Sequence, residues 1–339
     1  MNKKAKPTVK DVAKQAGVSP STVSRVISNN PRISKATRER VLKEMEALQY
    51  HPNAIARSLA RSRTRIIGVI MPARESDALL NPFFPEALRG IVMAASRYGY
   101  DVLLSTHSRN KEELDVIKNF TGTGKVDGLI LMSSREADPN IKYLMNTDFP
   151  FSVIGSDAGY SVNHVDNDNV RAAYDLTNHI LETGKHNIYF ASGPMELSVS
   201  KDRLAGYRQA LSEANIPLDG NHIFSGAFDE ETGMRIAEEI FRGQDKPDAV
   251  VATDDVIAFG LSRTMTNFGY KIPEDIAIGS FNNSVLSRYS DAQLTTIDIH
   301  SFDLGQQCVE QLMAAIEDGL RDGSAIISHE LIKRKSTLG

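Results

Sequence analysis

The 339-residue chain has one cysteine, Cys308, so it cannot close an internal disulfide, which suits a reducing compartment. Cys308 itself reads as helix packing. No apolar run approaches the roughly 20 residues needed to span a bilayer. The opening residues, M-N-K-K-A-K-P-T, carry charge with no apolar stretch behind them, so they do not read as a secretory signal. Catalytic signatures are missing as well. There is no G-x-S-x-G, and none of the eight histidines pairs with another at metal-binding spacing. T-G-T-G-K-V (121–126) lacks the glycine spacing of a phosphate loop and the hydroxyl residue after Lys125. Asp166 and Asp168 with their asparagines suggest a calcium loop, but its glycine and closing glutamate are absent. These absences leave catalysis without a visible carrier. The expectation is a cytoplasmic protein that is not an enzyme and holds neither metal nor cofactor.

The length suggests two or three domains, and charge divides the chain in the same way. Residues 1–65 hold 15 Lys and Arg against four acids, a net of +11, while 66–339 carry 24 basic and 39 acidic residues, a net of −15. A small basic head on an acidic body points to a polyanion partner for the head alone.

That head contains T-V-K-D-V-A-K-Q-A-G-V-S-P-S-T-V-S-R-V-I (8–27). Thr8 with Asp11 three residues on is a capping box, and Gly17 is placed to end the helix that it opens. Ser19 is a natural N-cap for a second helix with Pro20 in its first position. Val12, Ala13 and Ala16 form one buried face and Val23, Val26 and Ile27 another, leaving Pro20, Ser21, Ser24 and Arg25 exposed. Two helices and a glycine turn of this size match a helix-turn-helix; an ordinary surface hairpin is the alternative on spacing alone. Ser34 would cap a third helix, Lys35 to Gln49, with Val41, Leu42, Met45 and Leu48 as its apolar stripe. In Y-H-P-N-A-I-A-R-S-L-A-R-S-R-T-R (50–65), Asn53 can cap a helix over Ala54 to Ala60 that is too short to be stable alone. A basic, helix-competent segment of this kind suits folding on DNA, and a solvated linker equally.

From Ile66 the pattern alternates strand and helix. Apolar runs predict buried strands at 66–71, 101–105, 128–132, 151–155, 187–191, 248–253, 276–281 and 325–331, with helices at about 83–98, 112–120, 170–183, 200–214, 230–242, 254–268 and 303–318. Runs without alternation fit parallel strands covered on both faces. Gly99, Gly184 and Gly269 each recur between a helix and a strand. Two series of such units predict two parallel α/β lobes with a ligand cleft at the strand C-terminal ends.

The 8–27 motif, followed by Y-H-P-N-A-I-A-R-S-L-A, closely resembles the headpiece and hinge of the LacI/GalR family of bacterial repressors. V-D-G-L-I-L (126–131), D-R-L-A-G-Y (202–207), A-T-D-D-V-I-A-F-G (252–260), I-P-E-D-I-A-I (272–278) and L-T-T-I (294–297) extend the likeness over nearly the whole chain. Within the family, N-P-F-F-P-E-A-L-R-G (81–90) looks most like the repressors of maltose operons. The resemblance implies an all-α headpiece (1–50), a hinge (51–65) and a core (66–339) like a periplasmic sugar-binding protein. It places the N-lobe at about 66–163 and 297–324, and the C-lobe at about 164–292 and 325–339. It also implies a homodimer on a near-palindromic operator bent at its centre, bound through the nucleoid DNA, and a small sugar effector, here maltose or a maltodextrin.

Carried over residue by residue, the resemblance gives Pro20, Ser21 and Arg25 as base readers. Thr8, Ser19, Thr22 and Ser24 become partners of phosphates or neighbouring bases. Leu59 becomes the hinge wedge, with Asn53, Ala56 and Arg57 beside it. Arg25 can make a bidentate contact to guanine; Pro20 offers only apolar contact. Arg203, Asp254 and Asn282 map onto sugar contacts. From the other lobe, the residues themselves suggest Phe83 and Phe84 stacking on apolar sugar faces, with helix packing the equal alternative for each, and Asp157 facing the cleft. Arg203 is expected to fork onto two hydroxyls and Asp255 to cap a helix. At Asn282 many relatives carry aspartate, and Ala292 stands where a proline often precedes L-T-T. Two alternatives remain: a catabolite-control regulator of the same family activated by a phosphorylated partner protein, and a sugar-binding transport protein.

Overall fold

The computed structural model describes residues 7–28, 30–50, 63–72, 78–105, 113–156 and 159–338. Two compact units result, Met1–Ile66 with Thr123–Asp127, and Ile67–Gly122 with Gly128–Gly339.

In the first unit, α1 (Val9–Ala16), α2 (Pro20–Ile27) and α3 (Lys35–Ala47) close on a core of Val12, Ala13, Ala16, Val23, Val26 and Val41. The local signals act as expected. Asp11 accepts both the N–H and the hydroxyl of Thr8, at 2.8 and 2.7 Å. Gly17 takes φ 62°, a left-handed geometry that any side chain would strain. The Ser19 hydroxyl accepts the Thr22 N–H at 3.1 Å. Two expectations need correction. The third helix stops at Ala47 rather than Gln49, and Leu42 is 49% exposed. Val41, Met45 and Leu48 follow one face at spacings of four and three, and Leu42 lies a full helical step off that face. At the far end of this unit, Asp127 accepts the N–H and hydroxyl of Thr64 and the N–H of Arg65.

The second unit contains two six-stranded sheets among the described residues. The first sheet has the order β11-β5-β4-β3-β1-β2, with β1 (Ile66–Ile70), β2 (Asp101–Ser105), β3 (Gly128–Leu131), β4 (Phe151–Ile154), β5 (His164–Asn167) and β11 (Ser324–Ile327). The second has the order β12-β10-β9-β8-β6-β7, with β6 (Ile188–Ser192), β7 (Ile223–Ser225), β8 (Ala249–Ala252), β9 (Ala277–Phe281), β10 (Thr295–Asp298) and β12 (Glu330–Ile332). Pairing is parallel from β6 through β10, and β12 joins antiparallel to β10. Each sheet and its helices make one lobe.

Helices α4 (Phe83–Arg97), α5 (Glu113–Thr123), α6 (Pro139–Asn146) and α12 (Ser301–Glu317) belong to the first lobe. Helices α7 (Asn169–Glu182), α8 (Ser198–Glu213), α9 (Glu230–Arg242), α10 (Asp255–Asn267) and α11 (Val285–Tyr289) belong to the second. The α4–α12 crossing is close because Gly90 faces the Phe302 carbonyl and Gly305 faces that of Ala87, where a Cβ would collide with backbone. Cys308 is fully buried on α12, as expected, against the Ser152 hydroxyl.

The chain passes between lobes three times, but later than expected. β5 pairs with β4, so the first passage follows Asn167 rather than preceding His164. β10 belongs to the second sheet, so Ile297 is not in the first lobe. The run 325–331 is two strands in different sheets, so residues 325–327 are first-lobe residues. Asn167 binds all three passages together: its Nδ2 donates to the carbonyls of Ile299 and Ile327, at 3.1 and 2.9 Å. No described helix is long and apolar enough to cross a membrane.

Candidate functional site

On the first unit, α2 presents Pro20, Ser21, Ser24 and Arg25 to solvent while Val23 and Val26 hold it to the core. Ser19 is exposed and its hydroxyl binds those of Ser21 and Thr22, at 2.8 and 2.9 Å. Ser21 and Thr22 are thereby positioned but partly occupied. Thr8 is held at the start of α1 by Asp11. The Arg25 guanidinium has no partner among the described residues, so its donor fork is available to a base edge or a phosphate. Asn53, Ala56, Arg57 and Leu59, expected in the hinge, lie outside the described residues, as does Asp157.

In the second unit, a cleft lies between the lobes at the strand C-terminal ends. Its walls bring together five of the six effector candidates: Phe83, Phe84, Arg203, Asp254 and Asn282. Phe83 and Phe84 stand edge to face, with centroids 5.1 Å apart; Phe84 is also core, at 5% exposure. Phe228 faces the cavity from the other lobe, packed on Gly193, where a side chain would collide with the ring. Aromatic walls with a few convergent polar groups fit a small polyhydroxylated ligand.

Arg203 differs from the expected free fork. It sits in the second turn of α8, is 4% exposed, and stacks over Phe281 at 4.1 Å. Nε donates to Asn169 Oδ1 at 3.0 Å and Nη1 to the Thr253 carbonyl at 2.6 Å, which leaves Nη2 for a ligand. Burial lowers its pKa to about 10, against the pull of Asp254 and Asp166. The helix cap expected at Asp255 falls to Asp254, which also keeps its expected place on the cavity wall. Asp254 is the N-cap of α10, its Oδ1 accepting the Val256 N–H at 2.7 Å while the same carboxyl lines the cavity. Asp255 points away and accepts the hydroxyls of Ser280 and Thr296 and the N–H of Ser284. Asn282 has φ 98°, a conformation asparagine tolerates better than most residues. It donates to Asp254 Oδ2 at 2.8 Å. An aspartate there would lose this donor and set two carboxylates together.

Sequence reasoning missed Asp166, Asn81, Asn169 and Phe228, all on the cavity wall. Asp166 accepts from the Asn167 N–H and from Asn169, both at 2.8 Å, and Asp168 caps α7. Burial raises the pKa of Asp166 to about 6, and likewise that of Asp254 to about 6. Raised carboxyl pKa values mean that the fold favours the protonated form. This contribution to stability is complete below the ordinary value of 3.8 and is lost as pH rises through about 6. Asp166→Asn keeps an acceptor for Asn169 and removes that cost. It is expected to stabilise the protein by about 2–3 kcal/mol at pH 8 and to change little at pH 4, in thermal denaturation at both pH values. A gain confined to pH 4 contradicts this.

Residues 8–53 match the family described as bacterial regulatory proteins, lacI family, and residues 177–337 match a periplasmic binding protein-like domain. HTH-type transcriptional regulator MalR of Streptococcus pneumoniae is 39% identical over 333 residues, covering 96% of this chain and 99% of that protein. The chain belongs to the lacI family. It is a DNA-binding transcriptional repressor of that family, and not an enzyme. Among solved structures, the lac repressor dimer bound to operator and the anti-inducer ONPF aligns with TM-score 0.86 at 25% identity, covering 98% of this chain and 99% of that one. A complex of the transcriptional regulator CelR with cellobiose aligns with TM-score 0.75 at 27% identity, covering 97% and 99%. The lacI-family headpiece rules out the transport-protein alternative.

Proposed function

We propose that a small sugar, maltose or a maltodextrin, binds between the core lobes of this lacI-family repressor and changes its affinity for operator DNA. The observation that carries this reading is the cavity itself, in which Arg203, Asp254 and Asn282 meet the aromatic walls of Phe83 and Phe228. A solved structure described as a probable maltose operon transcriptional repressor, 27% identical with TM-score 0.73, supports maltose, and the cellobiose complex supports a disaccharide in this fold. In this reading residues 1–50 read bases, 51–65 form the hinge and 66–339 form the effector and dimerisation core. A cytoplasmic homodimer sets two headpieces on a near-palindromic operator, with Leu59 wedging the minor groove at its bent centre and Asn53, Ala56 and Arg57 beside it. Arg203, Asp254, Asn282, Phe83, Phe84 and Asp157 hold the sugar. Its binding favours a lobe arrangement that separates the hinges, so operator affinity falls.

The test is operator titration of the purified protein at fixed salt across a panel of sugars. Maltose or a maltodextrin is expected to weaken operator binding at least tenfold, a coupling within the usual range, while glucose 6-phosphate does not. Unchanged affinity with every sugar, together with a rise on adding a phosphorylated partner protein, would establish the catabolite-control alternative instead.

A further inference from the structure

Asn81 is buried, at 4% exposure, on the turn that leads into α4 of the first lobe. Its Oδ1 accepts the Phe83 N–H at 3.0 Å, which fixes the carboxamide against the helix start. Its Nδ2 then donates across the cleft to Asp254 Oδ2 at 2.9 Å. The same oxygen accepts from Asn282, and Asp254 Oδ1 is committed to the Val256 N–H. Two amide donors fill the lone pairs of Oδ2, so a ligand hydroxyl that donates to this atom must displace one of them.

The two donors are not equivalent. Asn282 lies in the same lobe as Asp254, at the end of β9, and its own N–H is held by the Ile297 carbonyl at 2.8 Å. Asn81 comes from the other lobe, so its bond is the one that lobe rotation breaks. The Phe83 contact survives that break, because both residues belong to the first lobe. Among the described residues, and apart from the crossover segments, other cross-lobe ties lie at residues 134–136 and 197–201. The Ser198 N–H donates to the Ser134 carbonyl, and Lys201 pairs with Glu136 at 2.8 Å between exposed side chains. None of these touches Asp254.

We propose that Asn81 is an internal competitor for the effector: its carboxamide holds on Asp254 the place of a sugar hydroxyl. Lobe closure through Asn81 and occupation of Asp254 by a polyol thus exclude one another, and the residue sets effector affinity without adding to the contacts. This rests on the sugar reading of the cleft.

The test uses the full chain with Asn81→Ala, and with Asn81→Asp, which keeps the acceptor for Phe83 but loses the donor. Circular dichroism confirms the fold of each. Calorimetric titration with maltose is expected to give an affinity about five- to tenfold higher for Asn81→Ala than for the parent chain. Unchanged or weaker binding overturns the proposal, since it would make Asn81 either idle or a direct sugar contact. A second readout is the distance between spin labels at exposed Lys142 and Arg208, one on each lobe, without added sugar and with labelled chains diluted in unlabelled ones. Both variants are expected to broaden and lengthen it, and Lys201→Ala to change it less. An unaltered distance in both Asn81 variants overturns the latch. If the parent chain binds no sugar in the panel, the sugar reading fails, while the distance measurement still decides the latch.

Discussion

Arg203→Ala is expected to abolish the response to effector while leaving operator binding in place. The guanidinium is the positive group facing Asp166 and Asp254, and its Nη2 remains for a ligand once Nε and Nη1 are committed to Asn169 and Thr253. A charge-assisted hydrogen bond contributes about 1.5–3 kcal/mol, and losing the buried cation also leaves two raised carboxylates without compensation. Effector affinity should therefore fall by at least about a hundredfold, combining both effects. The headpiece has a core of its own, so specific DNA affinity should change little. Arg203→Lys separates charge from geometry. It restores a cation but cannot span Asn169 and the Thr253 carbonyl while keeping a donor for the ligand, and it should remain defective. Calorimetry with maltose and operator titration check both variants. Normal release of operator by maltose in Arg203→Ala would remove this residue from the site.

The second large effect concerns Arg25. α2 offers an exposed apolar ring at Pro20, a hydroxyl at Ser21 already bonded to Ser19, and a hydroxyl at Ser24. Hydrogen-bonded base discrimination from this helix therefore falls mainly on Arg25. A bidentate contact to guanine discriminates by about 1–3 kcal/mol. In a symmetric dimer it is made twice, so Arg25→Ala is expected to lower operator affinity by about 10²–10⁴-fold. Random DNA, bound through phosphates, should lose far less. Both titrations must be run at one salt concentration. Equal losses on operator and random DNA would assign Arg25 to the phosphates.

These expectations show which parts of the molecule local chemistry announces. The helix-turn-helix was legible because its signals are neighbours in sequence: Thr8 with Asp11, Gly17, and Ser19 with Pro20 each satisfy backbone groups within one turn. Apolar runs likewise marked the central strands. The lobe boundaries were displaced because strand membership is decided by pairing. Residues 325–331 read as one strand despite the polar Ser328-His329-Glu330 within them, and pairing with β5 on one side and β10 on the other divides the run at Ser328–His329. β5 and β10 escaped the pattern because H-V-D-N and T-T-I-D carry polar side chains where the strands end at the cleft.

The candidate site divides in the same way. Resemblance named Arg203, Asp254 and Asn282, and the fold brings them to one cavity. Which of their atoms remain available is a tertiary matter, set by Asn169, Thr253 and Asn81. Asn81 bonds a residue 173 positions away, and no local spacing encodes that contact. Asp166 had only a calcium-like surrounding to mark it, and its role emerges from burial beside Arg203.

The central claim is that the cleft and the DNA-reading helix are two ends of one equilibrium. Linkage requires that a sugar which weakens operator binding by some factor be itself bound more weakly to the operator complex, by the same factor. The decisive measurement is the dissociation constant of maltose for the protein alone and for the protein saturated with operator, at one salt concentration. The predicted result is a weakening equal to that which maltose imposes on operator affinity, at least about tenfold. Identical maltose affinity in the two states would contradict the account.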